Sequence, residues 1–419
     1  MEKLKIGIIG FGTVGQGVYK SLQEQESVEI VKIAVKNINK PRSVELPQGI
    51  LIDNPYEIVN DTNIDVVVEL IGGVEPAWDY IKTAIENGKH IVTANKELLA
   101  KKGEELFNLS EKHNRVVLYE AAIAGGIPLI MPIKTTLAGN KINKIQAILN
   151  GTTNYILTKM DTDGASYDDV LKEAQELGYA ETDPTGDVEG FDAAYKITTL
   201  ATIAFNSRVK FENVYREGIT KVRKEDMKRA NELGYKIKLI ASATIDENNN
   251  ADVRVHPTLV PKHHMLAHTN FVTNAVSLTG HPVGSIVLSG PGAGEFPTAS
   301  SVIGDILAIA REWKTTEYLL PMMRCHHHTV SNPVNINDTY NKYYLSITAP
   351  NAIGVIAKIG KACADRNISL SSILQKEIFE DNTAEITVIT EKCLERSIKE
   401  VVAELDECSV NSVIRVAEV

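Results

Sequence analysis

The N-terminal third of the chain alternates short apolar runs with amphipathic stretches. A short apolar run is typical of a buried strand, whereas apolar residues three and four apart mark one face of a helix. The pattern predicts strands near residues 4–9, 29–35, 65–71, 89–93 and 115–119, with helices between them. Because strands that alternate with helices form parallel βαβ units, we expect an α/β domain with a parallel sheet over residues 1–135.

The hydrophobic pattern changes from about residue 142. Strand-like runs such as Lys144–Leu149 and Val253–Val255 lie among helical segments, which are predicted at 166–177, 188–206 and 224–243. This mixture is typical of an α+β domain, which we assign to residues 136–325. A last helix is predicted near 298–313, and we expect the region 298–320 to pack back on the first domain.

A polar, asparagine-rich stretch separates a third domain from the rest. It runs from Asn332 to Asn341, contains Pro333 and is predicted to be a linker. The elements beyond it are predicted as strand, helix, strand, strand, helix and strand at 343–349, 353–366, 368–375, 383–390, 394–406 and 411–417. The order βαββαβ indicates a ferredoxin-like domain over residues 342–419.

Composition narrows the class of protein. The 419 residues exceed the ~250 that one hydrophobic core usually serves, which agrees with several domains. A net charge of −10 disfavours a nucleic-acid partner, because such binding relies on clustered Lys and Arg. The most apolar uncharged run, Ala121–Ile133, is shorter than the ~20 residues of a membrane span, so no membrane segment is predicted. The N-terminus shows no apolar leader, and we expect a cytoplasmic enzyme.

The cysteines restrict the chemistry. The four of them, Cys325, Cys363, Cys393 and Cys408, show no close pairing that would predict a disulfide framework or a metal site. Residues 1–324 contain none, which excludes aldehyde oxidation through a cysteine thioester in that region. Hydride chemistry there would interconvert an alcohol and a carbonyl, or an amine and an imine.

A glycine-rich loop follows the first predicted strand. It reads Gly10-Phe11-Gly12-Thr13-Val14-Gly15 and leads into a helix. Gly10 allows a tight turn, Gly12 lets the backbone approach a pyrophosphate and Gly15 permits close packing of helix and strand. Because the motif lies at the start of a βαβ unit, it predicts a Rossmann-type dinucleotide site, the alternative being a glycine turn without a ligand.

Basic residues follow the second strand, where an acidic residue would bind the ribose of NAD. The chain has Lys36 and Asn37 there, and Lys40 and Arg42 a few residues later. We therefore expect NADP to be favoured, with NAD use left open. The alternative is a solvated basic loop.

Lys96 follows Thr93 and Asn95 at the end of the strand near 89–93. The carboxyl ends of parallel strands line the crevice in which ligands bind. Lys96 could therefore touch a cofactor or substrate, or it could be a solvated lysine at a helix start.

A stretch rich in carboxylates, LGYAETDPTGDVEGFDAAYK, runs from Leu177 to Lys196 and enters a helix. Asp192 and Lys196 are four residues apart and share one side of that helix. One interpretation is a structural ion pair. The other is a desolvated lysine that exchanges a proton with a substrate oxygen, while neighbouring carboxylates hold a cationic group.

Histidines occur in two runs, 326–328 and 263–264. Consecutive side chains point in different directions and no acidic or cysteine partners lie nearby in the sequence. We expect surface segments rather than metal sites at both.

The motifs in order resemble the homoserine dehydrogenase family: GFGTVG, TANKELLA, EAAIAGGIP, ILNGTTNYIL and the stretch ending at Lys196. The match covers about residues 1–320. The C-terminal βαββαβ unit resembles an ACT domain, and no kinase domain precedes the dehydrogenase, so the chain looks like the monofunctional form. The alternatives are another Rossmann dehydrogenase of an amino acid or sugar, and an inactive ligand sensor.

The resemblance implies NAD(P)H-dependent reduction of L-aspartate 4-semialdehyde to L-homoserine, in threonine and methionine biosynthesis. It implies that Lys196 donates the proton and that Glu181, Asp187 and Asp192 bind the substrate. Cofactor contacts are implied at Gly10, Phe11, Gly12, Thr13, Val14, Gly15, Lys36, Arg42, Thr93, Asn95, Lys96, Gly178, Gly292 and Gly294. A structural Na⁺ is implied at Glu120, Ile123, Gly125 and Ile127.

Regulation and assembly rest on a looser match. ACT domains often carry Asp-x-Pro-Gly at the first turn, whereas this chain has Asn351-Ala352-Ile353-Gly354. The resemblance implies feedback inhibition by threonine, the alternative being an ACT domain that only oligomerises. It also implies a homodimer or homotetramer through the middle domain and the ACT sheets.

Overall fold

The computed structural model describes residues 2–314, 319–325, 327–405 and 408–418, and its N-terminal part is a six-stranded parallel sheet. The strands are β1 (Leu4–Ile9), β2 (Val28–Ala34), β3 (Leu51–Ile52), β4 (Val66–Glu69), β5 (His90–Thr93) and β6 (Val117–Leu118). The helices are α1 (Thr13–Leu22), α2 (Tyr56–Val59), α3 (Ala77–Glu86) and α4 (Lys96–Lys112). The strand order β3-β2-β1-β4-β5-β6 confirms the expected dinucleotide-binding topology.

The centre of this sheet explains its apolar sequence. Helices cover both faces, so the first three residues of β4, Val66–Val68, are apolar and fully buried. Successive strands are added on one side of β1 up to β3 and on its other side from β4, and this change in strand order opens a crevice at the carboxyl ends of β1 and β4. The short strand β3 was not predicted from the sequence, because two residues carry no periodicity.

The middle of the chain forms a mixed sheet covered by helices. Its strands are β7 (Lys141–Ile148), β8 (Tyr215–Arg216), β9 (Tyr235–Ile245), β10 (Asn250–Pro261), β11 (Thr273–His281) and β12 (Gly284–Pro291). Its helices are α5 (Ala121–Ala124), α6 (Ile130–Lys134), α7 (Gly151–Asp163), α8 (Tyr167–Glu176), α9 (Thr185–Val188), α10 (Phe191–Phe205), α11 (Lys224–Glu232) and α12 (Glu295–Glu312). The main path of the sheet runs β12-β11-β7-β9-β10.

The helix predicted over 224–243 was wrong in its second half. Helix α11 ends at Glu232, and Gly234 takes a φ of +86°, which favours glycine and turns the chain. Beyond it β9 pairs with β10 along its whole length. Alternate residues, Ile237 and Leu239 among them, face the core, so a period of two outweighs local helix propensity.

Helix α12 packs against helix α1 of the first domain. A Cβ at Gly17 would lie 2.7 Å from the carbonyl oxygen of Glu295, so the two helices meet closely. Lys20 Nζ also lies 2.6 Å from Glu295 Oε1. The end of the middle segment thereby returns to the cofactor-binding fold. Among the described residues, no helix combines the length and the apolar character needed to cross a membrane.

The C-terminal domain confirms the predicted βαββαβ order. Its elements are β14 (Tyr340–Pro350), α13 (Val355–Ala364), β15 (Leu370–Ile378), β16 (Thr383–Thr390), β17 (Cys393–Leu394), α14 (Glu395–Glu404) and β18 (Ser409–Val416). The predicted linker is partly structured instead. Strand β13 (Asn332–Pro333) pairs with β10, because the exposed edge at Asn250 and Ala251 offers it backbone partners.

The middle and C-terminal sheets are continuous. Strand β18 pairs with β10, with Thr258 opposite Arg415, and joins both parts into one twelve-stranded sheet. Helix α11 of the middle domain covers the C-terminal sheet, where Arg229 Nη2 lies 2.6 Å from Glu385 Oε2 and both side chains are buried. Strand pairing and a buried ion pair therefore both connect the C-terminal domain to the middle domain.

Candidate active site

The glycine loop lies between β1 and α1, as the motif predicted. Gly10 has a φ of +104°, and a Cβ at Gly15 would lie 2.5 Å from the carbonyl oxygen of Gly10. A Cβ at Gly12 would meet nothing within 4 Å, so its backbone faces open space beside the exposed Thr13. Phe11 is buried and Val14 half-buried. The loop thus leaves room for a ligand at the N-terminus of α1.

A cleft of about 1100 Å³ opens beside this loop and the ends of β2 and β4. Lys36 and Lys40 are exposed at its rim. Arg42 lines the cleft too, but its guanidinium donates to the carbonyl oxygens of Asn37, Ile38 and Lys40, each at 2.7 Å. Arg42 therefore shapes the basic loop, while the two lysines remain free to meet a ligand.

A buried carboxylate organises the floor of the crevice, and sequence reasoning missed it. Glu69 ends the apolar strand β4 and is fully buried. Its Oε1 accepts from the N–H of Ile71 at 2.8 Å, and its Oε2 accepts from Thr93 Oγ1 at 2.6 Å. The Asn95 side chain donates to the carbonyl oxygen of Gly73 at 2.6 Å. A Glu at the end of an otherwise apolar strand was the only sequence signal.

Three charged residues meet across the domain boundary. Lys96, the first residue of α4, pairs with Asp192 Oδ1, and Lys196 Nζ lies 2.7 Å from Asp192 Oδ2. Lys196 Nζ also donates to the carbonyl oxygen of Leu149 at 2.7 Å. Asp192 and Lys196 are buried and Lys96 is partly exposed. The sequence predicted the pair on α10, and the fold adds Lys96 from the first domain.

The electrostatics of this cluster favour proton transfer. Burial lowers the pKa of Lys196, and the nearby Lys96 charge works in the same direction, although Asp192 opposes both. Burial opposes the charge of Asp192, yet the ammonium groups of Lys196 and Lys96 hold its pKa well below the usual range. A buried lysine with a lowered pKa is suited to exchange a proton with a substrate.

Asn150 supports the cluster, although the sequence did not single it out. It caps α7 by accepting from the N–H of Thr153 at 2.8 Å. Its Nδ2 donates to Asp187 Oδ1 at 2.7 Å and to Asp192 Oδ2 at 2.9 Å. Burial and the Asp192 charge raise the pKa of Asp187. One asparagine therefore aligns both carboxylates.

The two remaining predicted residues of the carboxylate-rich stretch are exposed. The Glu181 side chain faces solvent, but its charge is near enough to contribute to the raised pKa of Lys96, where Asp192 outweighs burial. Gly178 has a φ of +75° with open space around its Cα. Both residues are therefore on the solvent-exposed side of the site and are not part of the buried cluster of Asp192 and Lys196.

The loop implied to bind a cation lies between β6 and α6. The Glu120 carboxylate accepts from the N–H groups of residues 129, 130 and 131, at 2.5, 2.8 and 2.8 Å. Ser301 Oγ donates to the Gly125 carbonyl oxygen at 2.6 Å. Ile123 and Ile127 are buried. Glu120 therefore caps helix α6, with three of its roughly four acceptor positions occupied.

The second glycine-rich loop, Gly290–Glu295, joins β12 to α12. Gly294 precedes the helix with a φ of +126°. Gly126 N donates to the Pro291 carbonyl oxygen at 3.1 Å, which ties this loop to the segment after Glu120. Gly292 is buried while Ala293 and Gly294 are exposed. The exposed part of the loop lies at the N-terminus of an 18-residue helix.

The histidine runs show no metal site. His326 lies outside the described residues, and His327 is buried rather than on the surface, because its Nδ1 lies 2.9 Å from Asn206 Oδ1. His264 accepts from the N–H of Leu266 and His263 is exposed. Within the described ranges, no three His, Cys, Asp or Glu residues are grouped to hold a metal.

Comparisons with known proteins match the whole chain. Family models match residues 10–120 (homoserine dehydrogenase, NAD binding domain), 128–307 (homoserine dehydrogenase) and 343–409 (ACT domain). A homoserine dehydrogenase from Synechocystis sp. is 41% identical over 430 residues, which cover 99% of each chain.

Solved structures agree. A homoserine dehydrogenase from Thiobacillus denitrificans has a TM-score of 0.94 at 39% identity, with 100% of this chain and 99% of that chain covered. A hyperthermophilic archaeal homoserine dehydrogenase in complex with NADPH has a TM-score of 0.62 at 28% identity, with 74% of this chain and 98% of that chain covered.

Proposed function

The chain belongs to the homoserine dehydrogenase family of NAD(P)-dependent oxidoreductases, and we propose that Lys196 is the proton donor of its reaction. The nicotinamide cofactor supplies the hydride that reduces L-aspartate 4-semialdehyde to L-homoserine. The observation that carries the proposal is the contact of Lys96, Asp192 and Lys196 at the boundary between the cofactor cleft and the middle domain.

The residues around the buried cluster would each have a different role in the reaction. Lys196 Nζ holds the proton, and its lowered pKa brings it towards working pH, where general acids are most effective. Asp192 keeps the two lysine side chains in place through its two oxygens. Asp187 and Glu181 provide carboxylates for the substrate ammonium group, and Lys96 lies towards the nicotinamide. The buried cluster limits access of water to the proton.

NADP is the cofactor that the cleft suits best. Lys36 and Lys40 place two positive charges at the rim, where a 2′-phosphate would lie. Residues 35–42, which follow the carboxyl end of β2, include no acidic residue that would bind a ribose hydroxyl instead. The archaeal relative in complex with NADPH supports this choice.

A monovalent cation, with Na⁺ as the candidate, is proposed at Glu120 and the carbonyl oxygens of Ile123, Gly125 and Ile127. The Glu120 carboxylate retains about one free acceptor position, and oxygen donors suit a hard cation. The residues therefore fit the ion, which would join α6 to the second glycine-rich loop, Gly290–Glu295. We propose that this loop contacts the cofactor through Gly292 and Gly294, and we call it the second cofactor loop.

Regulation, assembly and location complete the proposal. Threonine is the proposed feedback inhibitor, acting through the ACT domain. Exposed apolar side chains on that domain, Ile353 and Phe379 among them, support a homodimer or homotetramer, which sedimentation would measure. A cytoplasmic location is in keeping with a biosynthetic enzyme.

Replacement of Lys196 tests the central assignment. Lys196→Ala should lower turnover of homoserine oxidation at least about a hundredfold, because a positioned acid or base contributes ~10²- to 10⁴-fold. Binding of NADPH, followed by its fluorescence, should change little. Near-normal turnover in the variant would remove Lys196 as the acid.

Comparing rates with NADP and NAD in the wild-type protein tests the cofactor preference in the same assay.

A further inference from the structure

Among the described residues, the side chain of one buried asparagine near the site has no hydrogen-bond partner. Asn274, the second residue of β11, is 1% exposed. Neither its Nδ2 nor its Oδ1 has a hydrogen-bond partner within the described part of the chain. Buried polar groups are rarely left unpaired, since they lose water without regaining a hydrogen bond. Both halves of one carboxamide are unpaired here, which calls for an explanation.

The carboxamide lies under the second cofactor loop. A Cβ at Gly292 would overlap Nδ2 and Cγ of Asn274, so only glycine fits there. The main chain is tied as well, because Ser289 Oγ donates to the Asn274 carbonyl oxygen at 3.0 Å. The Asn274 side chain therefore faces the loop backbone at Gly292. Gly292 is the buried residue of this loop, and the residues on either side of it are exposed.

On its other side, Asn274 is connected to Lys196 through the end of strand β7. Ala275 pairs with Ile148 in the antiparallel register of β11 and β7. Continuation of that register places Asn274 beside Leu149, whose carbonyl oxygen accepts from Lys196. A Cβ at Gly125 would overlap the carbonyl oxygen of Gly292, so the proposed cation loop meets the same point.

We propose that Asn274 is a positioning residue for the cofactor loop. In the free protein the loop leaves the carboxamide unpaired. When the cofactor binds, the peptide groups on either side of Gly292 shift and pair with Oδ1 and Nδ2. The regained hydrogen bonds favour the bound arrangement of the loop, so part of the cofactor affinity depends on Asn274. The inference rests on the proposed contact between this loop and the cofactor.

The melting temperature and the NADPH affinity of one variant together test the proposal, because a positioning role and a structural role predict different changes in them. Asn274→Leu should leave the melting temperature of the cofactor-free protein unchanged or higher, since an apolar side chain replaces an unpaired polar one. The same variant should weaken NADPH binding at least tenfold by fluorescence titration and raise the KM for NADPH, with kcat at saturation reduced less than threefold. A lower melting temperature with unchanged NADPH affinity would overturn the proposal, because that pattern describes a structural role.

Two further variants distinguish a specific loss of NADPH affinity from a folding defect. Asn274→Ala removes the carboxamide without added bulk near Gly292 and should show the same loss of affinity. Ser277→Ala changes another buried polar residue of β11, which lies away from the loop, and should bind NADPH like the wild type. Equal affinity loss in Ser277→Ala would contradict a specific role for Asn274.

Hydrogen exchange tests the role of Asn274 separately from the contact between the second cofactor loop and the cofactor. NADPH should slow amide exchange of residues 290–295 in the wild-type protein and do so less in Asn274→Ala. No protection in the wild type would contradict the loop–cofactor contact itself. Equal protection in both proteins would leave that contact standing and contradict the role of Asn274.

Discussion

At the scale of single residues, the site depends on one carboxylate shared by two lysines. Asp192 receives Lys196 from its own helix and Lys96 from the other domain, and Asn150 donates a third hydrogen bond. Without Asp192 the two ammonium groups would face each other with no intervening charge. Asp192 therefore influences the pKa of Lys196, in addition to the substrate contact that we propose for it.

The pH profile should report that role. Under the proposed role of Lys196, homoserine oxidation needs its neutral form, so activity should rise with pH through its pKa. Asp192 raises this pKa against burial, so Asp192→Asn should move the rise to lower pH. Absolute turnover should also fall, so the position of the acidic limb is the readout. Asp183→Asn, an exposed neighbour bonded to Thr185, serves as the control. An unmoved acidic limb in Asp192→Asn would refute the electrostatic role.

At the scale of elements, Glu120 works as a cap for a short helix. Its carboxylate accepts hydrogen bonds from the backbone N–H of the N-cap residue of α6 and from the N–H groups of the first two of its five residues. Asp305 on α12 accepts from the Glu120 backbone N–H at 2.9 Å, and burial together with the Glu120 charge raises the pKa of Asp305 well above its usual value. Two buried carboxyl groups thus tie α6 to α12, and a bound cation would stabilise the same junction.

Glu120→Ala should destabilise the protein by roughly 2–4 kcal/mol, because several buried N–H groups lose their acceptor at once. Chemical denaturation measures this. In Na⁺ the wild-type protein should melt at a higher temperature than in choline at equal ionic strength, since a ligand that binds only the folded state stabilises it.

Glu120→Gln, which keeps one acceptor oxygen, should lose that sodium dependence. The proposed cation site would be contradicted if wild type and variant responded alike to Na⁺.

At the scale of the whole molecule, a buried arginine connects the ACT domain to the catalytic helix. Arg415 on β18 binds Glu395 of α14, and its Nη1 lies 3.0 Å from Glu217 Oε2 in the middle domain. The neighbouring Arg216 donates to the carbonyl oxygen of Glu189, directly before Gly190, the N-cap of α10. A ligand that moved β18 would therefore act on the helix that carries Asp192 and Lys196.

Threonine inhibition should depend on this connection. Glu217→Gln weakens the contact with Arg415 while leaving the buried Arg415–Glu395 pair intact. We expect at least a fivefold rise in the threonine concentration that halves activity, with kcat in its absence unchanged. Glu212→Gln is the matched control, because Glu212 is exposed and lies four residues before Arg216. Identical inhibition of Glu217→Gln and wild type would contradict this route.

Deleting the ACT domain is a poorer test of the same question. Strand β18 pairs with β10, and β13 covers another part of that strand. Truncation near Asn332 would expose the edge of β10 in the middle of a continuous sheet. Lost activity could then follow from misfolding alone, so single substitutions in the full chain are the sharper experiment.

The amino-acid sequence by itself determined the features that depend on neighbouring residues. The glycine loop, the alternation of strands and helices, the βαββαβ order and the spacing of Asp192 and Lys196 were all evident from local pattern. These features could be predicted because backbone conformation and side-chain period act over a few residues. The error at residues 233–243 shows the limit, since pairing with β10 overrode a local helical pattern.

Only the tertiary structure decided what meets across long separations. It brought Lys96 to Asp192, placed Glu69 against the Thr93 hydroxyl and directed the Glu120 carboxylate onto helix α6. It also left Asn274 unpaired beneath Gly292 and merged two sheets through β10 and β18. No sequence pattern encodes such contacts, because burial and partner are set by how whole elements pack.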